Sequence, residues 1–147
     1  MNVFSYIYLA TMAMPALEKS GGRLVVVGSG AGLMGLPKVA PYSASKHAIV
    51  GFFDSLRLEL AEKQSKVSVT VCHLGNIDTA SNRENTKGDL KYVKHTPADS
   101  TAMAILRATA TRQREIFHPI EQGLNLMPKL RPWIPGLLDK LLLVVAQ

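Results

Sequence analysis

A chain of 147 residues, 47% hydrophobic and 19% charged, has the length and composition of one globular domain rather than a disordered tail or a fibre. The net charge of +6 is evenly spread, 7 basic against 4 acidic residues through Leu74 and 10 against 7 after it, with no run of five like charges. That argues against a dedicated nucleic-acid surface, leaves room for weak attraction to anionic lipid or a phosphorylated cofactor, and no stretch nears the roughly 18 uninterrupted apolar residues of a spanning helix.

Val3, Tyr6, Ala10, Met14 and Leu17 recur at helical spacing, predicting an amphipathic helix to about Lys19, where Ser20-Gly21-Gly22 stops it. The alternative, a cleaved signal, lacks a basic leader. Residues 24–27 predict a short strand buried on both faces, as in parallel sheets. A glycine- and proline-rich loop follows, then a long helix over 42–63 with Ala44, Ala48, Phe52, Leu56 and Leu60 as its apolar stripe. Residues 67–74 predict a second strand holding the single cysteine, Cys72, as a buried inert thiol. The polar stretch 76–96 reads as a mobile loop of the kind that covers sites. Thr96 as cap and Pro97 at the first helical position start a helix running through 102–112, and 114–118 predict a third strand. This order predicts an α/β fold of about three parallel strands with flanking helices, over residues 1–123, followed by an apolar tail over 124–147. Ligands in such sheets gather beyond the carboxyl ends of strands, which directs attention to 28–41 and 75–97.

Gly30-Ala31-Gly32-Leu33-Met34-Gly35 matches the dinucleotide fingerprint G-x-G-x-x-G, but the context fails. A phosphate cradle turns straight into a helix, whereas Leu36-Pro37 and Pro41 delay this one, and the acid about twenty residues on, Asp54, falls within a helix. Ser29 is no nucleophile elbow either, since Val27 and Ala31 stand where glycines belong.

Tyr42 and Lys46 stand four apart at the start of the long helix, on one face. An ammonium near a phenol favours the phenolate, making a tyrosine a usable proton donor or acceptor. Chance alone supplies a Tyr-x-x-x-Lys in about one such chain in four, so position matters more than spacing. Ser29 lies thirteen residues before Tyr42, just past the first strand, where its hydroxyl can polarise a carbonyl oxygen. The plainer alternatives are a strand-end turn for Ser29, a helix-start aromatic for Tyr42 and a solvated charge for Lys46. His47, His73, His95 and His118 share no ligand spacing, and no metal site is expected.

Ser29, Tyr42-Ser43-Ala44-Ser45-Lys46 and the helix Phe52-Phe53-Asp54-Ser55-Leu56-Arg57-Leu58-Glu59-Leu60 together resemble the second half of a short-chain dehydrogenase/reductase, over about residues 2–118. Asn2-Val3-Phe4-Ser5-Tyr6, Gly51-Phe52-Phe53 and Leu74-Gly75-Asn76-Ile77-Asp78-Thr79 are most similar to the 11-beta-hydroxysteroid dehydrogenase type 1 group. The resemblance implies a Rossmann-like fold, NADP or NAD as cofactor, and hydride transfer to or from the carbonyl or secondary alcohol of a steroid-like or other lipophilic substrate. Within it Tyr42 is the acid/base, Lys46 supports it and holds the nicotinamide ribose, and Ser29 polarises the carbonyl. Asn2 matches the helix asparagine of a proton relay, with a helix cap as its alternative. Gly75, Ile77 and Thr79 match the segment that meets the carboxamide end of the cofactor. Leu74-Gly75 replaces the family's usual Pro-Gly, and Gly28 stands where serine is common.

The family's opening half, with its Thr-Gly-x-x-x-Gly-x-Gly cradle, has no counterpart. The chain therefore reads as the carboxyl-terminal portion of a longer enzyme, inactive alone, or alternatively as a noncatalytic product that only pairs with full-length partners. The strand over 24–27 would then expose an unpaired edge. The resemblance further implies a homodimer through the helices over 2–19 and 42–63, and membrane association at the endoplasmic reticulum or, failing that, an intracellular setting. The tail, with Lys129, Arg131 and Trp133 upstream of a leucine-rich run, suits a membrane interface, the mouth of a lipophilic pocket, or core packing.

Overall fold

The computed structural model describes residues 3–85, 95–123 and 125–145. Helix α1 (Phe4–Ser20) is closed by Gly21, whose left-handed φ of 60° lets its N–H and that of Gly22 return to the carbonyls of Glu18 and Leu17. Strand β1 (Arg23–Val27) leads through a 3₁₀ turn (Gly30–Gly32) into α2 (Ala40–Glu62), with Pro41 in its first turn. After β2 (Ser68–Leu74) come β3 (Ile77–Asp78), α3 (Ala80–Asn85), β4 (Thr96–Pro97), α4 (Ala98–Ala110) and β5 (Glu115–His118), then a second 3₁₀ turn (Ile120–Gln122), α5 (Met127–Leu130) and α6 (Pro135–Val145).

Strands β1, β2 and β5 form a parallel sheet in that order, with Val27 opposite Cys72 and Leu74 opposite His118; β3 and β4 make a separate parallel pair. This is the predicted α/β architecture. Its core joins Val26 of β1 and Val69 and Val71 of β2 to Ala10 of α1 and to Ile49, Phe53 and Leu60 of α2. Truncating a ring buried like that of Phe53 costs about 3–5 kcal/mol, so this contact ties α2 to the sheet more firmly than any capping bond. Helix α4 packs against β2 and β5 outside that cluster, burying Thr101 and Ala108. Cys72 is fully buried, and burial pushes its thiol up to about 11, in keeping with an inert cysteine.

Four expectations are corrected. Strand β1 is not buried on both faces: Val26 alone is buried, Arg23 and Val27 at its ends are exposed, and among the described residues it pairs with β2 only. The stripe Ala44/Ala48/Phe52/Leu56/Leu60 is displaced by about one position. The buried residues of α2 are Ser43, Lys46, Ile49, Phe53 and Leu60, while Ala44 and Ala48 are exposed and Phe52 and Leu56 pack at the core's margin. Both faces are apolar in sequence, and the sheet takes the one carrying Ile49 and Phe53. The polar stretch 76–96 contains, among the described residues, β3, α3 and β4 rather than loop alone, because its short polar side chains serve as caps and braces. Thr96 does not cap α4: it pairs with Ile77 in β4, and the helix begins at Ala98 with Pro97 extended before it. The hydroxyls of Ser100 and Thr101 then donate to the Pro97 carbonyl at 2.9 and 3.0 Å.

No described helix is long and apolar enough to cross a membrane.

Candidate active site

Because β1 and β2 end side by side, the segments leaving them open at one end of the sheet. The Gly28 N–H donates to the Cys72 carbonyl at 2.9 Å, carrying the pairing one residue past β1 to Ser29. Ser29 is extended (φ −154°, ψ 155°), and its Oγ accepts the Ala31 N–H at 3.2 Å, capping the 3₁₀ turn. Ser29 is thus a turn residue, as the plain reading had it, yet a hydroxyl that accepts keeps its proton to donate. The turn lies on α2. A Cβ built at Gly32 would stand 2.8 Å from the Lys46 carbonyl oxygen, so this glycine is required by helix packing and not by a phosphate.

Tyr42 sits in the first turn of α2 and Lys46 one turn on. Lys46 is 8% exposed, and its Nζ lies 5.6 Å from the centroid of the Tyr42 ring, 5.3 Å from that of Tyr6 and 3.5 Å from the Val27 carbonyl oxygen. Among the described residues no carboxylate pairs with it, so the plain reading of a solvated charge does not hold. Burial lowers its pKa below the ordinary lysine value. The Tyr6 hydroxyl donates to the same Val27 oxygen at 2.9 Å, and burial, then Tyr42, hold that phenol above its ordinary value. Tyr42 is 40% exposed, and its hydroxyl has no hydrogen-bond partner among the described residues.

Beyond β2, Gly75 donates its N–H to the His118 carbonyl at 2.8 Å, and the Asn76 N–H donates to the Gln122 side chain at 2.8 Å, so the second 3₁₀ turn anchors the segment. The Asn82 side-chain amide donates to Asn76 Oδ1 and, at 2.8 Å, to the Ile77 carbonyl. Thr79 caps α3, its Oγ1 accepting the Asn82 N–H at 3.2 Å. Arg83 forms an ion pair with Asp78, and its hydrogen bond holds that carboxyl below the usual carboxylate range.

The structure therefore brings Tyr42 and Lys46 together at the end of β1, with Ser29 two residues beyond that end. Gly75, Ile77 and Thr79 follow the neighbouring strand. Asn2 lies outside the described residues. Sequence reasoning placed Tyr6 on an apolar stripe and in a segment of family resemblance but gave it no role at the site; the signal passed over is that a part-buried tyrosine needs a partner for its hydroxyl. It also missed Asn82 and Gln122, whose partners lie across two turns. Among the described residues no three of His, Cys, Asp and Glu gather as metal ligands.

Tyr42 and the buried Lys46 thus stand one helical turn apart near the carboxyl ends of β1 and β2, the region where open α/β sheets gather ligands. A sequence profile described as short chain dehydrogenase matches residues 1–90, and the chain belongs to that family. It is 48% identical over 118 residues to the hydroxysteroid 11-beta-dehydrogenase 1-like protein of Gallus gallus, covering 80% of this chain and 41% of that one. With its namesake from Danio rerio it shares 42% over 141 residues, 96% of this chain and 48% of the other. Among solved structures, a short chain dehydrogenase from Burkholderia cenocepacia in complex with NADP superposes with a TM-score of 0.78 at 25% identity, over 97% of this chain and 56% of that one. One from Burkholderia phymatum in complex with NAD gives 0.74 at 20% identity, over 92% and 56%, a likeness of fold. The chain spans about half the length of the curated relatives it matches.

Proposed function

We propose that this chain carries the catalytic half of an NADP- or NAD-dependent oxidoreductase acting on a carbonyl or secondary alcohol, with a steroid-like or other lipophilic substrate. The observation that carries the reading is the buried Lys46 ammonium, free of any described carboxylate, against the ring of Tyr42 and beside the strand end that leads to Ser29. The cofactor's contribution is a hydride, two electrons with a proton, exchanged with the substrate carbon. In the reducing direction Tyr42 delivers its proton to the carbonyl oxygen and takes one back in oxidation. Ser29, its oxygen engaged by Ala31, donates its own hydrogen to the same oxygen and stabilises the negative charge that develops there.

The residues present fit the nicotinamide ribose. An ammonium has three N–H donors, and among the described residues only Val27 claims one, which leaves donors for ribose hydroxyls. Thr79, which accepts from Asn82, retains a proton that would serve the carboxamide, and the backbone of Gly75 and Ile77 would help to hold that group. Asn2 would hold the relay water. The glycine turn does not fit a pyrophosphate, since α2 fills the space at Gly32.

The steroid class is supported by the names of the relatives. A homodimer through α1 and α2 is supported by the apolar residues Phe4, Tyr8, Leu9 and Met12 that α1 leaves exposed. Peripheral membrane contact is supported by α6, where Leu137, Leu141, Leu143 and Val144 are exposed beside Lys140, with Trp133 exposed just upstream. The same row on α1 favours a second reading, a noncatalytic chain that acts by pairing with longer copies; tight NADPH binding by the 147-residue chain alone would overturn it.

The test is a chimera in which this chain replaces the matching part of the Gallus gallus relative. NADPH-dependent reduction of a steroid ketone is the expected result. Absence of turnover in the chimera, where the intact relative turns over, would contradict the reading.

A further inference from the structure

We propose that Tyr6 is a positioning residue of this site, fixing both the place and the charge of the Lys46 ammonium. Lys46 Nζ is held between two aromatic rings, 5.3 Å from Tyr6 and 5.6 Å from Tyr42. Both distances fall within the roughly 6 Å over which a ring face attracts a cation. The two rings differ in how they are held. Tyr42 is 40% exposed with its hydroxyl unengaged among the described residues, and it is the ring a substrate would meet. Tyr6 is anchored: its hydroxyl donates at 2.9 Å to the Val27 carbonyl, the same oxygen that Lys46 Nζ approaches at 3.5 Å.

One carbonyl therefore fastens both the lysine and the wall behind it to the last residue of β1. A lysine has a long, flexible stem and snorkels to water when given a path, so a charge this deep needs something to keep it there. With no described carboxylate to do so, the Tyr6 face and the Val27 oxygen are the fixed attractions. Burial acts the other way, favouring the neutral amine, and the ring opposes it. The phenol of Tyr6 is not itself the proton donor, because its hydrogen is already given to Val27. Two tyrosines thus flank one lysine with divided work, Tyr42 facing the chemistry and Tyr6 holding the charge. The proposal rests on the reading of Lys46 as the partner of Tyr42, but its physical content, a ring-held ammonium, is measurable apart from turnover.

The experiment titrates Lys46 in the 147-residue chain, following its acetylation by a limiting reagent across pH with mass spectrometry. It compares Tyr6→Phe with replacement of Tyr6 by pentafluorophenylalanine, which keeps the ring's shape and removes its negative face. The Lys46 pKa is expected about one unit lower with the fluorinated ring, with Tyr6→Phe between it and the wild type. Tyr6→Leu is expected to fall with the fluorinated ring. Equal titration in the Phe and pentafluorophenylalanine variants, at a value still below that of an ordinary lysine and so with the pocket intact, overturns the proposal. A ring-dependent shift alongside a chimera indifferent to Tyr42→Phe would keep the role of Tyr6 while removing the proposed proton donor. Equal titration with turnover sensitive to Tyr42 would do the reverse.

Discussion

Lys46 owes its setting to residues that sequence spacing does not connect. Tyr42 and Lys46 were legible because four residues on a helix are neighbours by geometry, and Ser29 because a strand end is a place where ligands gather. Tyr6 was not, since its approach to Lys46 depends on how α1 lies against β1. Gly32 belongs to the same scale. Its missing side chain makes room for the backbone of Lys46, at 2.8 Å from a built Cβ, where a methyl group forces main chain apart. Gly32→Ala is expected to lower stability by about 1–3 kcal/mol in urea unfolding, the range of overpacked sites. Gly35→Ala, whose nearest neighbour would be the end of Arg131 at 4.0 Å, is the control and should be close to neutral. Equal effects at the two glycines would show that contact with α2 is not what Gly32 provides.

Between elements, hydrophobic patterning found the face that α1 turns inward, with Tyr6, Ala10, Met14 and Leu17 on the core, and misjudged that of α2. On α2 two adjacent stripes are apolar, and only the sheet decides between them. The segment after β2 looked like a loop because it is polar, yet Asn76, Thr79 and Asn82 spend that polarity on one another and on backbone. Periodicity carries no trace of such braces. A second buried polar group joins β2 to β5: His73 is 1% exposed, stacks on Phe117 with ring centroids 5.0 Å apart, and has Nε2 3.9 Å from a Glu115 oxygen. Burial depresses its pKa below 6.5, against a smaller opposing pull from Glu115 and Asp54, while Arg57 lowers it further. A histidine depressed in the folded state is neutral there while the unfolded chain still takes up the proton. Its stabilising effect is full above about pH 6.5 and is lost as pH falls below it. The urea midpoint should drop from pH 7.5 to pH 5.5, and the drop should shrink in His73→Phe, which keeps a ring against Phe117 but binds no proton. Parallel drops in the two proteins would locate the pH dependence elsewhere.

At the scale of the molecule, two surfaces are apolar beyond what folding within one copy uses. The first is the edge of β1, which among the described residues pairs with β2 only and leaves Val27 exposed. The second is the row Phe4, Tyr8, Leu9 and Met12 on α1, each at least 65% exposed. If α1 is a face between copies, Leu9→Glu with Met12→Glu should convert a dimer to a monomer in light scattering, with helical content retained. An unchanged mass would remove α1 from the interface. The charge excess, spread along the whole chain, has no part in this and needs no polyanion to explain it. What the fold does accomplish is to set a tyrosine, a lysine and a serine at one end of a sheet, and the claim that they move protons in step with hydride transfer is the centre of the account. It is tested most directly by Tyr42→Phe in the chimera with the Gallus gallus relative, measured as turnover of a steroid ketone with NADPH. Loss of kcat by about 100-fold or more, with the substrate's KM little changed, is the predicted result, and turnover equal to that of the unmodified chimera would contradict it.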